Sequence, residues 1–393
     1  MTYNFDEVVN RKNTYSTQWD YIQDRFGACD LLPFSISDTD FKIPEKVQEE
    51  IKAFNELGVY GYTRWNHDDF KKSISNHFKY RTELEIDSDA IVYSPSVMYT
   101  ISILLRELSQ DNKKVLTFSP MYDSFYQVVE ENDLGLIESK LINNKGHFEI
   151  NFTDFEEKIK TVDTLLLCSP HNPTGRLWTF EELEKMVALC KKYNVVLISD
   201  EIHMDMNLTH RKHIPILKFV SQYSRLYLVS SASKTFNTPG LIGSYAILPD
   251  VQVRERFIAI QKTRDFLNSA STLGIIATMT AYNECQDYID ELCLYIDKNL
   301  SYVEEFIKKY IPELHYKKSE ATYLAWIDCS EMPYTMKELQ EILVKECKVG
   351  IMNGKVYGDE NYIRMNCGAS LSKVKEGMKR LLQAFEILRE QKG

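Results

Sequence analysis

Between about residues 90 and 250 the chain alternates short apolar runs with longer stretches of helical pattern. The runs are "KVLTFSP", "TLLLCSP", "VVLISD" and "RLYLVSSAS". That alternation predicts βαβ units and a parallel sheet. The clearest crossover helix is "TFEELEKMVALCKKYN", where Thr179 and Glu182 form a capping box and Phe180, Leu183, Val187 and Cys190 recur at helical spacing. After about residue 290 the pattern changes to long amphipathic helices and short strands. The chain closes on "LSKVKEGMKRLLQAFEIL", with Val374, Met378, Leu381, Leu382, Phe385 and Leu388 on one stripe. The first 45 residues carry no strong periodic pattern and are expected to pack on another domain or subunit. The expected organisation is an N-terminal segment 1–45, a large α/β domain 46–288 and a smaller α+β domain 289–393.

Length agrees with more than one domain, since 393 residues exceed one ordinary core. The composition, 44% hydrophobic and 26% charged, is that of a globular chain. A net charge of −10 argues against a nucleic-acid surface, which needs clustered Lys and Arg, and favours small molecules or proteins as partners. Eight cysteines are scattered singly without CxxC pairs, which fits reduced thiols better than a zinc site or a disulfide scaffold. The polar start "MTYNFDEVVNRKNTYSTQWD" does not read as a signal peptide, and no later run is long enough for a membrane helix. A cytoplasmic protein is expected.

In a parallel sheet with crossover helices, ligands bind beyond the carboxyl ends of the strands. Here those ends are rich in chemistry. "TLLLCSP" runs into "HNPTG", "VVLISD" ends on Asp200 and continues "EIHMD", "KVLTFSP" leads to "MYDSFY", and "RLYLVSSAS" reaches Lys234. Each piece has a plain reading: "HNPTG" as a turn, Lys234 as a surface lysine, Asp200 as a loop acid. The acids and histidine of "DEIHMD" lack a metal-ligand spacing, so no metal is expected.

Taken together and in this order, Tyr122, Asn172, Asp200 and Lys234 resemble the fold type I pyridoxal 5′-phosphate (PLP) enzymes of the aspartate aminotransferase superfamily. "ISDTDF", "SPHNPTGRLW", "SDEIH" and "SSASKTFNTPGL" are similar to the MalY/PatB group of cysteine C–S lyases within it. The resemblance runs from about residue 30 to the C-terminal helix. It implies Lys234 as the Schiff-base lysine, Asp200 as partner of the pyridine nitrogen, Asn172 on the phenolic oxygen and Tyr122 stacked on the ring. His203 would support the phenolic oxygen or the aspartate. The phosphate would lie at the start of the helix in "SPSVMYTISILLREL", on the free N–H groups of Val97 and Met98, with the Ser231 and Ser233 hydroxyls. The resemblance also implies a homodimer with shared active sites, in which Tyr62, or else Tyr60, reaches the partner's phosphate. Arg364 in "NYIRMNCG" would clamp the substrate's α-carboxylate.

The activity implied is α,β-elimination of S-substituted L-cysteines such as cystathionine. An aminotransferase would use the same residues, and a PLP-binding regulator acting through a protein surface is the alternative from another class. His203, where aminotransferases often carry tyrosine, and the "SKTFNTPGL" stretch favour the lyase.

Overall fold

The computed structural model describes residues 2–392. Its main sheet has seven strands, in the spatial order Ile91–Ser94, Ser244–Ile247, Leu226–Ser230, Val196–Asp200, Thr164–Cys168, Lys114–Ser119 and Gly135–Lys140. Ser244–Ile247 is antiparallel to both neighbours. The remaining pairings are parallel. All four predicted strands are present, and every residue of the three central ones is buried, as strands covered by helices on both faces must be.

The crossover helix Phe180–Tyr193 begins with the predicted box. The Thr179 hydroxyl accepts from the Glu182 N–H and the Glu182 carboxylate from the Thr179 N–H. Leu183, Val187 and Cys190 are buried along its inner face, and Phe180 packs half-buried against Phe219.

The smaller α+β domain carries an antiparallel sheet with Tyr362–Asn366 between Leu324–Asp328 and Met352–Asn353. On its closing helix, Leu371–Lys392, five stripe residues, Val374, Met378, Leu381, Phe385 and Leu388, are buried, whereas Leu382 is half-buried at the stripe's edge. The change of pattern expected at residue 289 falls inside a continuous helix, Gln286–Tyr310. This helix carries the chain past residue 289 without a linker.

The N-terminal segment makes up for its missing periodicity by borrowing partners. Phe5 packs among Phe41, Tyr288 and Tyr295. Leu32–Pro33 adds in parallel to Val349–Gly350. The next stretch, 34–41, is a strap bound on both sides. The Asn237 side chain accepts from the Thr39 N–H and donates to the Thr39 and Phe41 carbonyls. On the opposite side the Asn366 amide donates to the Ile36 and Asp38 carbonyls. Asp40 accepts from Lys373 at 2.5 Å, Arg11 at 3.0 Å and the Trp19 indole at 2.9 Å. Burial alone would raise the Asp40 pKa, but these donors, Lys373 foremost, bring it below its ordinary value.

Gly377 permits this docking. A Cβ there would lie 2.4 Å from the Phe34 ring and 2.8 Å from Met365. Alanine in a helix interior ordinarily stabilises by up to about 1 kcal/mol. At this position overpacking prevails, and Gly377→Ala is expected to destabilise by about 1–3 kcal/mol in chemical denaturation.

Candidate active site

The carboxyl ends of the parallel strands open into a cavity of about 530 Å³. Tyr122, Asn172, Asp200, His203, Ser231, Ser233, Lys234, Val97, Met98 and Arg364 all line it. Residues separated by hundreds of positions thus meet where the sheet topology predicts a ligand.

Lys234 lies in the turn after Leu226–Ser230, half-buried, and its ammonium donates to the Ser37 carbonyl at 2.6 Å. Burial, helped by the charge of Arg364, lowers its pKa; Asp38, Asp200 and Asp123 oppose this. The result is a lysine biased toward the neutral amine, the form that acts as nucleophile and base.

Asp200 is the last residue of its strand and is buried. Its carboxylate accepts from the Ile202 N–H at 3.1 Å and has no ion pair among the described residues. Burial pushes its pKa up to about 7. The neighbouring acids are placed differently. Glu201 meets His213 at 2.7 Å and the Ser199 hydroxyl at 2.9 Å. Asp205 meets His77 and the Thr235 hydroxyl, each at 2.9 Å. "DEIHMD" therefore sends its acids in separate directions, and Asp200 is the one that faces the cavity.

The raised pKa makes a prediction for the cofactor-free protein. A carboxyl whose pKa is near 7 folded and 3.8 unfolded costs no stability at low pH. The cost grows as pH rises from about 4 and levels off above 7, at an upper bound of about 4 kcal/mol. Cofactor-free Asp200→Asn is expected to melt several degrees above wild type at pH 8, with the gap closing toward pH 4. An equal gap at both pH values would show that ionisation of Asp200 is not its source.

Asn172 is buried, and its carbonyl oxygen accepts from Arg364 at 2.9 Å, leaving the amide N–H groups as donors toward the cavity. The turn reading of "HNPTG" and the ligand reading are thus compatible. Arg364, central in its three-stranded sheet, also donates to the Ser35 carbonyl at 3.0 Å and lies 4.1 Å over the Tyr357 ring. Its Nε is buried without a partner.

The helix Val97–Leu108 starts as expected. Ser96 caps it by accepting from Tyr99, so the Val97 and Met98 N–H groups remain open at the cavity wall. The two serines differ from one another. The Ser231 hydroxyl gives its proton to the Gly243 carbonyl at 2.6 Å, whereas the Ser233 hydroxyl makes no hydrogen bond among the described residues.

Of the two roles expected of His203, the structure speaks only to support of the aspartate. His203 makes no hydrogen bond to Asp200; its ring packs edge-on to Tyr323 and its Nδ1 is buried without a partner. Burial, with the charges of Lys234 and Arg364, lowers its pKa to about 3, so the ring is neutral. Tyr62 is fully exposed and outside this cavity, while the Tyr60 hydroxyl is occupied by Asn55 at 2.9 Å.

Several lining residues escaped the sequence reading: Arg25, Asp123, Tyr357 and the carbonyls of Ser35 and Ser37. The signal available was "ISDTDF", which contains Ser37 and begins one residue after Ser35.

These residues fit PLP on the structure's own terms. An anionic group has free N–H donors at a helix start, a cationic ring nitrogen has a buried carboxyl lacking an ion pair, and an aldehyde has an amine biased toward neutrality.

Comparison with known proteins agrees. The family "Aminotransferase class I and II" matches residues 30–385. Protein MalY of Escherichia coli is 37% identical over 98% of this chain and 100% of its own. Cystathionine beta-lyase PatB of Bacillus subtilis is 33% identical over 97% and 100%. Cystalysin from Treponema denticola, whose crystal structure contains pyridoxal 5′-phosphate, superposes with a TM-score of 0.92 at 30% identity, covering 99% and 100% of the two chains. The PLP-bound C–S lyase from Staphylococcus hominis gives 0.90 at 28%, covering 98% of each. The chain belongs to the class I and II aminotransferase family, fold type I, in its MalY/PatB-like group.

Proposed function

We propose that this protein is a PLP-dependent C–S β-lyase that cleaves S-substituted L-cysteines to a thiol, pyruvate and ammonia. The observation that carries it is the meeting of Lys234, Asp200 and Arg364 in one cavity with an open helix start. Elimination rather than transamination is supported by the relatives, among them a cystathionine beta-lyase and a C–S lyase.

Val97 and Met98 would hold the phosphate, Asp200 the ring nitrogen, Asn172 the phenolic oxygen and Lys234 the aldehyde carbon. Bound there, PLP supplies a ring that stabilises negative charge at the substrate's Cα. Arg364 takes the α-carboxylate, with its plane supported by Tyr357 and its register set by Asn172 and Ser35. Lys234, as neutral amine, removes the Cα proton. The Cβ–S bond then breaks with its electron pair leaving on sulfur, and the thiolate takes up a proton. Water converts the remaining three-carbon unit to pyruvate and ammonia.

A second copy of the chain completes the proposal. Leu57, Val59, Tyr62, Ile242 and Phe266 are exposed apolar side chains, and the bridge Thr63–Ala270 joins the segments that carry Tyr62 and Phe266. Such a face suits a homodimer in which Tyr62 reaches the partner's phosphate end. Light scattering reading a monomer at working concentration would remove this part.

The test of function is product analysis. Holoenzyme with L-cystathionine and no added keto acid should release pyruvate and free thiol in equal amounts. Amino transfer to a keto acid without thiol release would replace the lyase reading with a transaminase.

A further inference from the structure

The cavity holds a second guanidinium that the chemistry above leaves unused. Arg25 sits on the short helix Gln23–Phe26, exposed, while the reacting end of the cavity around Asn172, Asp200 and His203 is buried. Its side chain has no hydrogen bond or ion pair among the described residues. Asp123 lines the same cavity, half-buried, with a carboxylate likewise unpaired among the described residues.

The position of Arg25 is fixed by packing. Ile22 and Phe26, one on either side of the helical turn, press on Gly350, where a Cβ would lie 2.9 Å from Phe26 and 3.2 Å from Ile22. The Val349–Gly350 strand is tied in turn to Leu32–Pro33. Asp123 opens the helix Asp123–Glu130, and two residues before it the Met121 N–H donates to the Tyr357 carbonyl at 2.8 Å. Tyr357 stands between the two ends: its ring underlies Arg364, and the charges of Arg364, Asp123 and Arg25 all act on its hydroxyl.

One unpaired cation and one unpaired anion thus line the cavity in which Arg364 would take the α-carboxylate, and Lys234 face the Cα, of a substrate carrying a sulfur substituent. We propose that Arg25 and Asp123 form a subsite for the far end of that substituent, Arg25 binding a carboxylate and Asp123 an ammonium. The substrate class is then S-substituted cysteines whose leaving thiol is itself an amino acid, in preference to S-alkyl cysteines. This rests on the lyase reading for the chemistry but not for the binding.

Three ligands separate the charges: L-cystathionine carries both distal groups, S-(2-carboxyethyl)-L-cysteine only the carboxylate, S-ethyl-L-cysteine neither. Arg25→Met is expected to lower kcat/KM about 10- to 100-fold for the first two and less than about twofold for the third. Asp123→Asn should lower it for L-cystathionine alone. Equal losses on all three ligands, or none, in Arg25→Met overturn the subsite; a normal L-cystathionine value in Asp123→Asn overturns the ammonium half. The same comparison, read as dissociation constants by calorimetry in holo Lys234→Ala, needs no turnover. If wild type cleaves none of the three, the lyase reading falls, and the binding ratios still decide the subsite.

Discussion

Lys234→Ala holoenzyme turns over at least about 10⁴-fold more slowly than wild type, because one substitution removes both the covalent anchor and the base for the Cα proton. Binding of PLP should persist in the variant, since the helix start at Val97 and the carboxyl of Asp200 are untouched. Borohydride reduction separates the two roles. It should fix PLP on the peptide bearing Lys234 in wild type and on no peptide in the variant. Wild type that carries no fixed cofactor after reduction would place the anchor elsewhere and overturn the role assigned to Lys234.

The second large effect concerns Arg364. Arg364→Ala removes the guanidinium that spans Asn172, Ser35 and Tyr357, and with it the clamp for the α-carboxylate. Losing a buried charged hydrogen-bond partner costs about 2–5 kcal/mol, so kcat/KM should fall roughly 10²- to 10³-fold, mainly through KM. Arg364→Lys restores charge without the two-pronged geometry and should recover only part of that loss. A variant with unchanged KM would mean that the carboxylate is held elsewhere.

Much of the main sheet was legible because its strands are uniformly apolar and end abruptly in polar residues. "VVLISD" announces both a buried strand and the carboxyl that its end presents. The capping box of Thr179 and Glu182 was legible for a similar reason: it is local, and both hydrogen bonds span three residues. What stayed hidden is non-local or carried by the backbone. The carbonyls of Ser35 and Ser37 leave no side-chain signature, and their partners lie 329 and 197 positions away. Arg25 and Tyr357 occupy a four-residue helix and a 3₁₀ turn, too short for periodicity to register. The orientation of His203 depends on Tyr323, whose place against it only the small domain's packing decides. The smooth passage of the helix Gln286–Tyr310 through residue 289 was hidden for the opposite reason, since one helix can change neighbours without changing its own pattern.

The strap also acts as a ruler. Ser35 and Ser37 hold the two working groups, the Arg364 guanidinium and the Lys234 amine, and are only two residues apart, so chain geometry limits their α-carbons to a separation of at most about 7 Å. The two groups come from different domains, yet the same short length of backbone spaces them. An insertion of one residue between positions 35 and 37 would leave every side chain of the cavity in the sequence and still put the grip on the carboxylate out of step with the amine.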